Sequence, residues 1–367
     1  MKYYWVFSTF NIGGPQRRFA ALAPQLGANT VHLITAMDGQ YGAEALLPAD
    51  FHWKHLELSV QKTALVSLAN LKTFRRALDL EKPDILLTSN WGTSEWHLAN
   101  RGRVRVPHVH FEDGFGPDES TDHRNWKRDL FRRGLFSTPI GAPERRFVVP
   151  SSGLGQVMKE AWGASADLVE VIPNGIDVER FAVDGRPMRR PVIGSVGALR
   201  PEKRFDRLLT ICASLAPEVE FDVLIVGTGP EETKLKSMAN SLGLQDRTRF
   251  AGELSDVVPA LEQMDVYALT SDTEQMPISL VEAMASSLPV VATDVGDVRA
   301  MLSDGNACHV HPVGPTKPLA QSLLELMKDK KQRHALGEAN RMRAETLFSL
   351  EGMTTRYRTL FQSFARD

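Results

Sequence analysis

The sequence predicts an α/β protein of two Rossmann-like domains facing one another across a cleft, and three observations carry that expectation. Short apolar runs alternate with longer helical patterns throughout, the rhythm of βα units around a parallel sheet. The same rhythm starts afresh after residue 190. Between the two series lies IPNGIDVERFAVDGRPMRRP, residues 172–191, rich in turn residues and helix breakers. The expected boundaries are 1–172 for the first domain, 173–190 for the linker and 191–348 for the second domain, with a last helix in 349–367.

In the first series, strands are expected at YWVFST from Tyr4, VHLITA from Val31, DILLTS from Asp84, HVHF from His108 and RFVVPS from Arg146. A helix is expected from Gln16 to Leu26. The second series gives PVIGSVG from Pro191, FDVLIVG from Phe221, DVYALTS from Asp265 and LPVVATD from Leu288. Open parallel sheets bind ligands beyond the carboxyl ends of their strands, so functional residues are sought there.

Composition sets the outer limits. A chain of 367 residues is long enough for two sizeable cores, and 43% hydrophobic with 24% charged residues is ordinary for a soluble protein. A net charge of −2 gives no reason to expect a nucleic-acid partner. Cys212 and Cys308, the only cysteines, lack a second nearby thiol for a metal site and read as two reduced, buried thiols. The start, MKYYWVFSTFNIGG, reads as a strand and glycine turn rather than a secretion signal. No run approaches the ~20 apolar residues of a membrane span, and a cytoplasmic location is expected.

The most informative stretch is TSDTEQMPISLVEAMASSLPVVAT, Thr270 to Thr293. Pro277 suits the first turn of a helix, which is expected to begin near Met276. Glu274 lies just ahead of it. The amides from Gln275 to Ser279, Met276, Pro277 and Ile278 included in that run, surround the positive end of the helix dipole and suit an anion such as a diphosphate. Glu282 sits inside the helix among Leu280, Val281, Ala283, Met284 and Ala285. A carboxylate in such a place needs a counterpart, either a structural arginine or a polar ligand group.

This stretch closely resembles the C-terminal domain of family 4 glycosyltransferases, retaining enzymes of the GT-B fold. The resemblance extends through VIPNGIDVERF from Val171, IGSVGALRPEKRFDRLL from Ile193, LIVGTGPEE from Leu224 and RFAGELSDV from Arg249, in the family's order, over roughly residues 147–300. It implies transfer of a sugar from a UDP- or GDP-sugar to a glycan hydroxyl, in bacterial surface or exopolysaccharide synthesis. It also implies that Glu274 contacts the donor sugar, Glu282 the ribose, Arg200 and Lys203 the diphosphate, and Gly197, Glu253 and Leu254 the phosphate loop and base. The last helix resembles the family's closing helix, which crosses back to the first domain. Two departures are Gln275 and Asp297, where glycine is usual; each side chain narrows the space near the diphosphate or sugar. No Asp-x-Asp triplet occurs, so no metal is expected on the diphosphate and no other cofactor is expected. His309 and His311 read as alternation on a strand rather than as metal ligands. The rival readings are a nucleotide-sugar epimerase on the same fold and a non-catalytic nucleotide-sugar-binding protein.

In the first domain, Gly13 and Gly14 form a turn after the first strand, which alone means only a tight turn; by the resemblance the loop approaches the donor. SNWGTSEWH from Ser89 and VPHVHFEDGFGPDE from Val106 begin at strand ends and should face the cleft. Many family members carry a histidine at the second strand end. Here Asp113 holds that place by count from Pro107, and His110 comes three residues earlier. Asn90, Trp91, Glu112 and Asp113 are read as acceptor contacts, His110 and Asp113 also as catalytic candidates, against the plain alternative of turn caps. HRNWKRDLFRRGLF, His123 to Phe136, is a basic helix with aromatic residues. It suits either an anionic membrane surface at the inner face of the plasma membrane or a solvated face. By the resemblance, acceptors include lipid-linked glycans.

Overall fold

The computed structural model describes residues 1–60, 66–101, 105–114, 125–137, 144–183 and 189–364. The chain divides into two compact units, Met1–Asn174 with Leu350–Asp367, and Gly175–Ser349. Loop residues 115–119 and the basic residues His123 and Arg124, singled out above, lie outside the described residues.

The first unit contains β1 (Lys2–Phe7), β2 (Val31–Ala36), β3 (Trp53–His55), β4 (Ile85–Ser89), β5 (His108–Phe111), β6 (Arg145–Val149) and β7 (Val169–Val171). They form one seven-stranded sheet in the order β3-β2-β1-β4-β5-β6-β7, every pair parallel. Tyr3 to Phe7 are each at most 3% exposed. That double-sided burial explains why β1 reads as an unbroken apolar run rather than an alternation. The last helix, Leu350–Gln362, sends Met353, Tyr357, Leu360 and Phe361 into the same core as Tyr3, Trp5 and Phe19. It therefore belongs to the first unit although the chain reaches it last.

The second unit contains β8 (Val192–Val196), β9 (Asp222–Val226), β10 (Thr248–Phe250), β11 (Val266–Leu269), β12 (Val290–Thr293) and β13 (Val310–His311), in the order β10-β9-β8-β11-β12-β13. These pairs are also parallel. In each sheet the strand order reverses at one place, between β1 and β4 in the first and between β8 and β11 in the second. Loops leaving neighbouring strands at such a point diverge and open a crevice for ligands.

Several local expectations need correction. The helix expected from Gln16 to Leu26 is α-helical over Gly14–Leu22 and continues as a 3-10 turn, Ala23–Leu26, because Pro24 cannot donate to an α-helical ladder. Helix Ile278–Ala285 starts two residues later than expected, with Pro277 as its extended N-cap. Strands β3 and β7, three residues each, were too short to stand out by periodicity. His309 lies in a 3-10 turn and only His311 in a strand. Cys212 is buried, its thiol pushed up to about 12 by burial, but Cys308 is exposed. From Gly175 onward the breaker-rich segment belongs to the second unit: Ile176 bridges Ser349, and Phe181 is buried in that unit's core.

Candidate functional site

In the second unit, the loops after β8 and β11 meet at the point where strand order reverses. After Gly197 and Leu199 the chain makes a 3-10 turn, Pro201–Lys203, and enters helix Phe205–Leu215 through Arg204 in the left-handed region, φ 52°. Such a conformation is costly for a residue with a Cβ and needs support. Asp206 accepts from Arg204 at 2.9 and 3.0 Å and Asp272 at 2.9 Å. These hydrogen bonds, first from Asp206 and then from Asp272, push the guanidinium's proton affinity up. Arg207 reaches Asp272 at 2.5 Å and the Thr270 carbonyl at 2.7 Å. The Asp272 amide donates to the Glu202 carbonyl at 2.8 Å. The two loops are thus clamped by backbone and side chain together.

On that clamp sit the predicted residues. Lys203 Nζ lies 2.6 Å from Glu274 Oε1, which also accepts from Ser271 Oγ at 2.7 Å; the Glu274 side chain is 8% exposed. Arg200, in contrast, is exposed and its guanidinium makes no ion pair among the described residues. Glu274 ends just short of helix Ile278–Ala285, whose N-terminus carries no side-chain cap. The first-turn amides there, those of Ile278 and Ser279, have no intrahelical acceptor. Met276 and Pro277, which precede them, are buried.

Glu282 is buried one turn further on, at 9% exposure. Tyr267, on β11, donates to Ser279 Oγ at 2.9 Å and towards the Val196 carbonyl at 3.2 Å. Burial pushes its phenol well above the usual range; the Ser279 bond works the other way, and the charges of Glu274 and Glu282 add to the rise. Both glutamates therefore bear on one buried tyrosine. Gly296 closes the other side. At φ 53° its missing Cβ would lie 2.4 Å from the Glu274 carbonyl oxygen and 2.6 Å from that of Gln275, so only glycine fits. The next amide, Asp297, donates to the Gln275 carbonyl at 3.0 Å.

The loops after β8, β9 and β10 are tied by close backbone approach. The Gly197 amide donates to Val226 and the Gly227 amide to the Gly252 carbonyl at 2.7 Å. A Cβ on Gly227 would stand 2.0 Å from the Gly197 carbonyl oxygen. This holds Glu253, exposed, and Leu254, packed on the core, immediately after Gly252.

In the first unit, Gly13 is an extended N-cap and Gly14 the first residue of helix Gly14–Leu22, so the pair opens a helix rather than forming a free turn. Arg18 on that helix holds Asp113 through both guanidinium ends, one at 3.1 Å. Burial, the largest influence, disfavours the Arg18 cation, but the Asp113 charge, Tyr357 and the Asp113 hydrogen bond together outweigh it and raise its proton affinity. The Asp113 amide donates to Asn90 Oδ1 at 2.8 Å, and Asn90 adopts φ 61°. A carboxylate so engaged is suited to orienting a hydroxyl more than to taking its proton.

His110 and Glu112 are each 1% exposed, with His110 Nε2 3.3 Å from Glu112 Oε2. Arg132, also 1% exposed, faces Glu112 at 3.7 Å and lies over the rings of Trp91 and Trp162 at 5.2 and 4.4 Å. Glu112 thus serves the interior, which removes it and His110 from any exposed contact surface. Sequence reasoning missed Arg18, Arg132, Asp272 and Tyr267 as partners. Asp272 stands within the Thr270–Thr293 stretch and Arg132 within the basic helix, yet the pairing of each is identified only by what the fold places opposite it.

Two family patterns match the chain in tandem: "Glycosyltransferase Family 4" over residues 12–180 and "Glycosyl transferases group 1" over 178–343. Over 172 residues the chain is 28% identical to the N-acetyl-alpha-D-glucosaminyl L-malate synthase of Bacillus anthracis, covering 47% of this chain and 45% of that protein. Over 171 residues it is 32% identical to a GDP-mannose-dependent alpha-mannosyltransferase of Mycobacterium tuberculosis (strain CDC 1551 / Oshkosh), covering 44% and 43%. The match thus spans a little under half the length of either relative. Anabaena HepE, solved in complex with UDP-glucose, superposes with a TM-score of 0.82 at 18% identity, covering 99% of this chain and 100% of that one. That likeness establishes the GT-B fold.

Proposed function

Because the chain belongs to glycosyltransferase family 4, we propose that it transfers a hexose from a UDP- or GDP-sugar to a glycan hydroxyl with retention at the anomeric carbon. The reading extends to a bacterial surface or exopolysaccharide as the product. The observation that carries it is the 2.6 Å pairing of Lys203 with Glu274 beside the uncapped N-terminus of helix Ile278–Ala285. Breaking a sugar–phosphate bond builds negative charge on the departing diphosphate. Arg200, Lys203 and the amides of Ile278 and Ser279 are the groups that stabilise it, with no metal required. Glu274 holds sugar hydroxyls, Glu282 the ribose, and the segment Gly252 to Leu254 the base.

The leaving phosphate itself helps take the acceptor proton, so no protein nucleophile is needed. In the first unit, Asn90, Trp91 and Asp113 are the acceptor contacts, with Asp113 held by Arg18 as an orienting group. Among the described residues no helix is long and apolar enough to cross a membrane. Attachment to the inner face of the plasma membrane, for a lipid-linked glycan, rests on helix Trp126–Phe136, which exposes Trp126 and Leu130 beside Lys127 and Arg133.

A thermal-shift series with UDP, GDP and several of their sugars, followed by product analysis with the responding donor, tests the proposal. A stabilising donor whose sugar appears on an added glycan, with its anomeric configuration kept, is expected. Epimerised sugar formed without acceptor, or no response to any nucleotide, rejects it.

A further inference from the structure

Three imidazoles converge inside the first unit, apart from every group assigned above to the donor. His97 stands on helix Glu95–Ala99 and His108 and His110 on β5, all three at most 4% exposed. The His97 ring centroid is 4.4 Å from that of His108 and 4.6 Å from that of His110. One nitrogen from each ring can be chosen so that all three lie within 4.8 Å of one another. His108 Nε2 and His110 Nδ1 each lie 2.8 Å from Thr88 Oγ1, so two ring edges point at one spot. His97 Nε2 is buried with no hydrogen-bond partner among the described residues. Behind His110, Glu112 Oε2 lies 3.3 Å from the opposite ring nitrogen, the carboxylate–histidine arrangement that fixes ring orientation and strengthens a metal ligand.

We propose that His97, His108 and His110 form a binding site for a late first-row divalent cation such as Zn²⁺, with Thr88 Oγ1 or a water as the remaining ligand.

Three imidazoles favour zinc, nickel or copper over magnesium or calcium, which prefer oxygen. Burial above all, with the neighbouring histidines and Arg145, keeps His97 and His108 from protonating, so their lone pairs are available. Zn–N bonds of about 2.0–2.1 Å in a tetrahedron set nitrogens about 3.3 Å apart. The rings must therefore draw together when the ion binds. Arg145 opposes a cation here, but its guanidinium is committed to the Leu135 and Phe136 carbonyls at 3.0 and 2.7 Å. Glu112 supplies opposite charge on the far side of His110. An ion at this place would fasten helix Glu95–Ala99 to β4 and β5, whose ends carry Asn90 and Asp113.

The whole chain, stripped of metal, is titrated with Zn²⁺ and with Co²⁺ by calorimetry and visible absorption, with Mg²⁺ as competitor. One ion per chain, ligand-field bands with Co²⁺ and no displacement by Mg²⁺ are expected. His97→Ala and His108→Ala should each weaken binding at least tenfold, while the exposed His334→Ala should not. Absence of saturable binding, or unchanged affinity in His97→Ala, overturns the proposal. Should the variants fail to fold, the unmodified chain decides: a melting temperature raised by Zn²⁺ and not by Mg²⁺ is required, and no rise overturns the site.

Discussion

Lys203 and Glu274, 71 residues apart in sequence, meet at 2.6 Å where the β8 and β11 loops adjoin. Each neutralises the other in a place where either charge alone would lack a counterpart. On the proposed function, a diphosphate recruiting Lys203 would release one Glu274 oxygen to accept from sugar hydroxyls, and nucleotide binding and sugar orientation would be coupled through this one contact. Glu274→Gln keeps the shape and a hydrogen-bond acceptor but removes the charge. Transfer should fall by about 10²–10³, the scale for losing one oriented group at a developing charge, while UDP or GDP affinity holds or rises, since Lys203 no longer has to leave a carboxylate. Undiminished transfer by the purified variant would remove Glu274 from the sugar.

The cations near this contact should separate by role. Arg200 is exposed without an ion pair among the described residues, whereas Arg204 and Arg207 are tied to Asp272. Arg200→Ala and Lys203→Ala should each weaken nucleoside diphosphate binding roughly tenfold, in keeping with a lost charge-assisted hydrogen bond of about 1.5–3 kcal/mol partly screened by water; the melting temperature should hold in Arg200→Ala but fall somewhat in Lys203→Ala, which leaves Glu274 without its cation. Arg207→Ala should instead lower the melting temperature, because it leaves the loop clamp unpaired. Calorimetric titration with UDP and GDP beside a melting curve checks both halves; equal nucleotide affinity in Lys203→Ala and the parent chain would contradict the assignment.

Gly296 offers a purely steric test. Its φ of 53° and the 2.4 Å approach of a would-be Cβ to the Glu274 carbonyl oxygen leave alanine no room. Strain of this kind costs of order 1–3 kcal/mol, and backbone cannot yield as a side-chain end can. Gly296→Ala should lower stability by that amount and displace the Glu274 loop, reducing transfer even where the protein remains folded. Denaturant unfolding and a donor-dependent assay on the same sample measure the two effects.

The repeated strand pattern and the loop motifs were legible because β1, β2, β4, β8, β9, β11 and β12 are buried runs whose apolar residues mark themselves. Glu274 and Lys203 were legible as motif members. The arrangement around them was not. Arg18 and Asp113 are 95 residues apart, and nothing local in PQRRF distinguishes the arginine that turns inward from its neighbour. Arg132 likewise reads as one more basic residue of a surface helix, yet it is buried against Glu112 and Trp162. Short strands failed for another reason: two or three residues cannot establish a period.

Acid should destabilise the first unit through His32. Trp5 Nε1 donates to its Nδ1 at 3.1 Å, and its Nε2 lies 2.9 Å from Thr30 Oγ1, so the neutral ring fills both sites. Burial first, then the nearby N-terminal ammonium, lowers its pKa to about 4. The unfolded chain takes up the proton near pH 6.5 and the folded chain only near 4, so this stability is complete above pH 6.5 and lost as pH falls through that window. At ~1.4 kcal/mol per unit the loss reaches about 3 kcal/mol. His32→Gln can still accept from Trp5 but cannot titrate, and should flatten the pH dependence of urea unfolding between pH 6.5 and 4. Buried His97 and His108 act in the same direction, so some slope should remain. A slope unaltered by the substitution would exonerate His32.

Helix Trp126–Phe136 separates two surfaces that its sequence had merged. Trp126 and Leu130, 68% and 63% exposed, stand four residues apart and so share one face, with Lys127 and Arg133 exposed beside them. Arg132 points inward, and Arg128 lies over Trp91 at 5.9 Å, so fewer positive charges face outward than the sequence count implied. At about 1 kcal/mol per lysine or arginine near an anionic bilayer, Lys127 and Arg133 give only weak attraction, and insertion of Trp126 and Leu130 must supply the rest. Association with vesicles should therefore require anionic lipid, weaken with salt, and drop sharply in a Trp126→Ser, Leu130→Ser double variant whose melting temperature is unchanged. Sedimentation with phosphatidylglycerol vesicles against phosphatidylcholine vesicles distinguishes the cases. Equal recovery of the parent chain in the supernatant with both would make the helix an ordinary solvated face, and a lipid-linked acceptor, if it is the substrate, would have to reach the protein without its help.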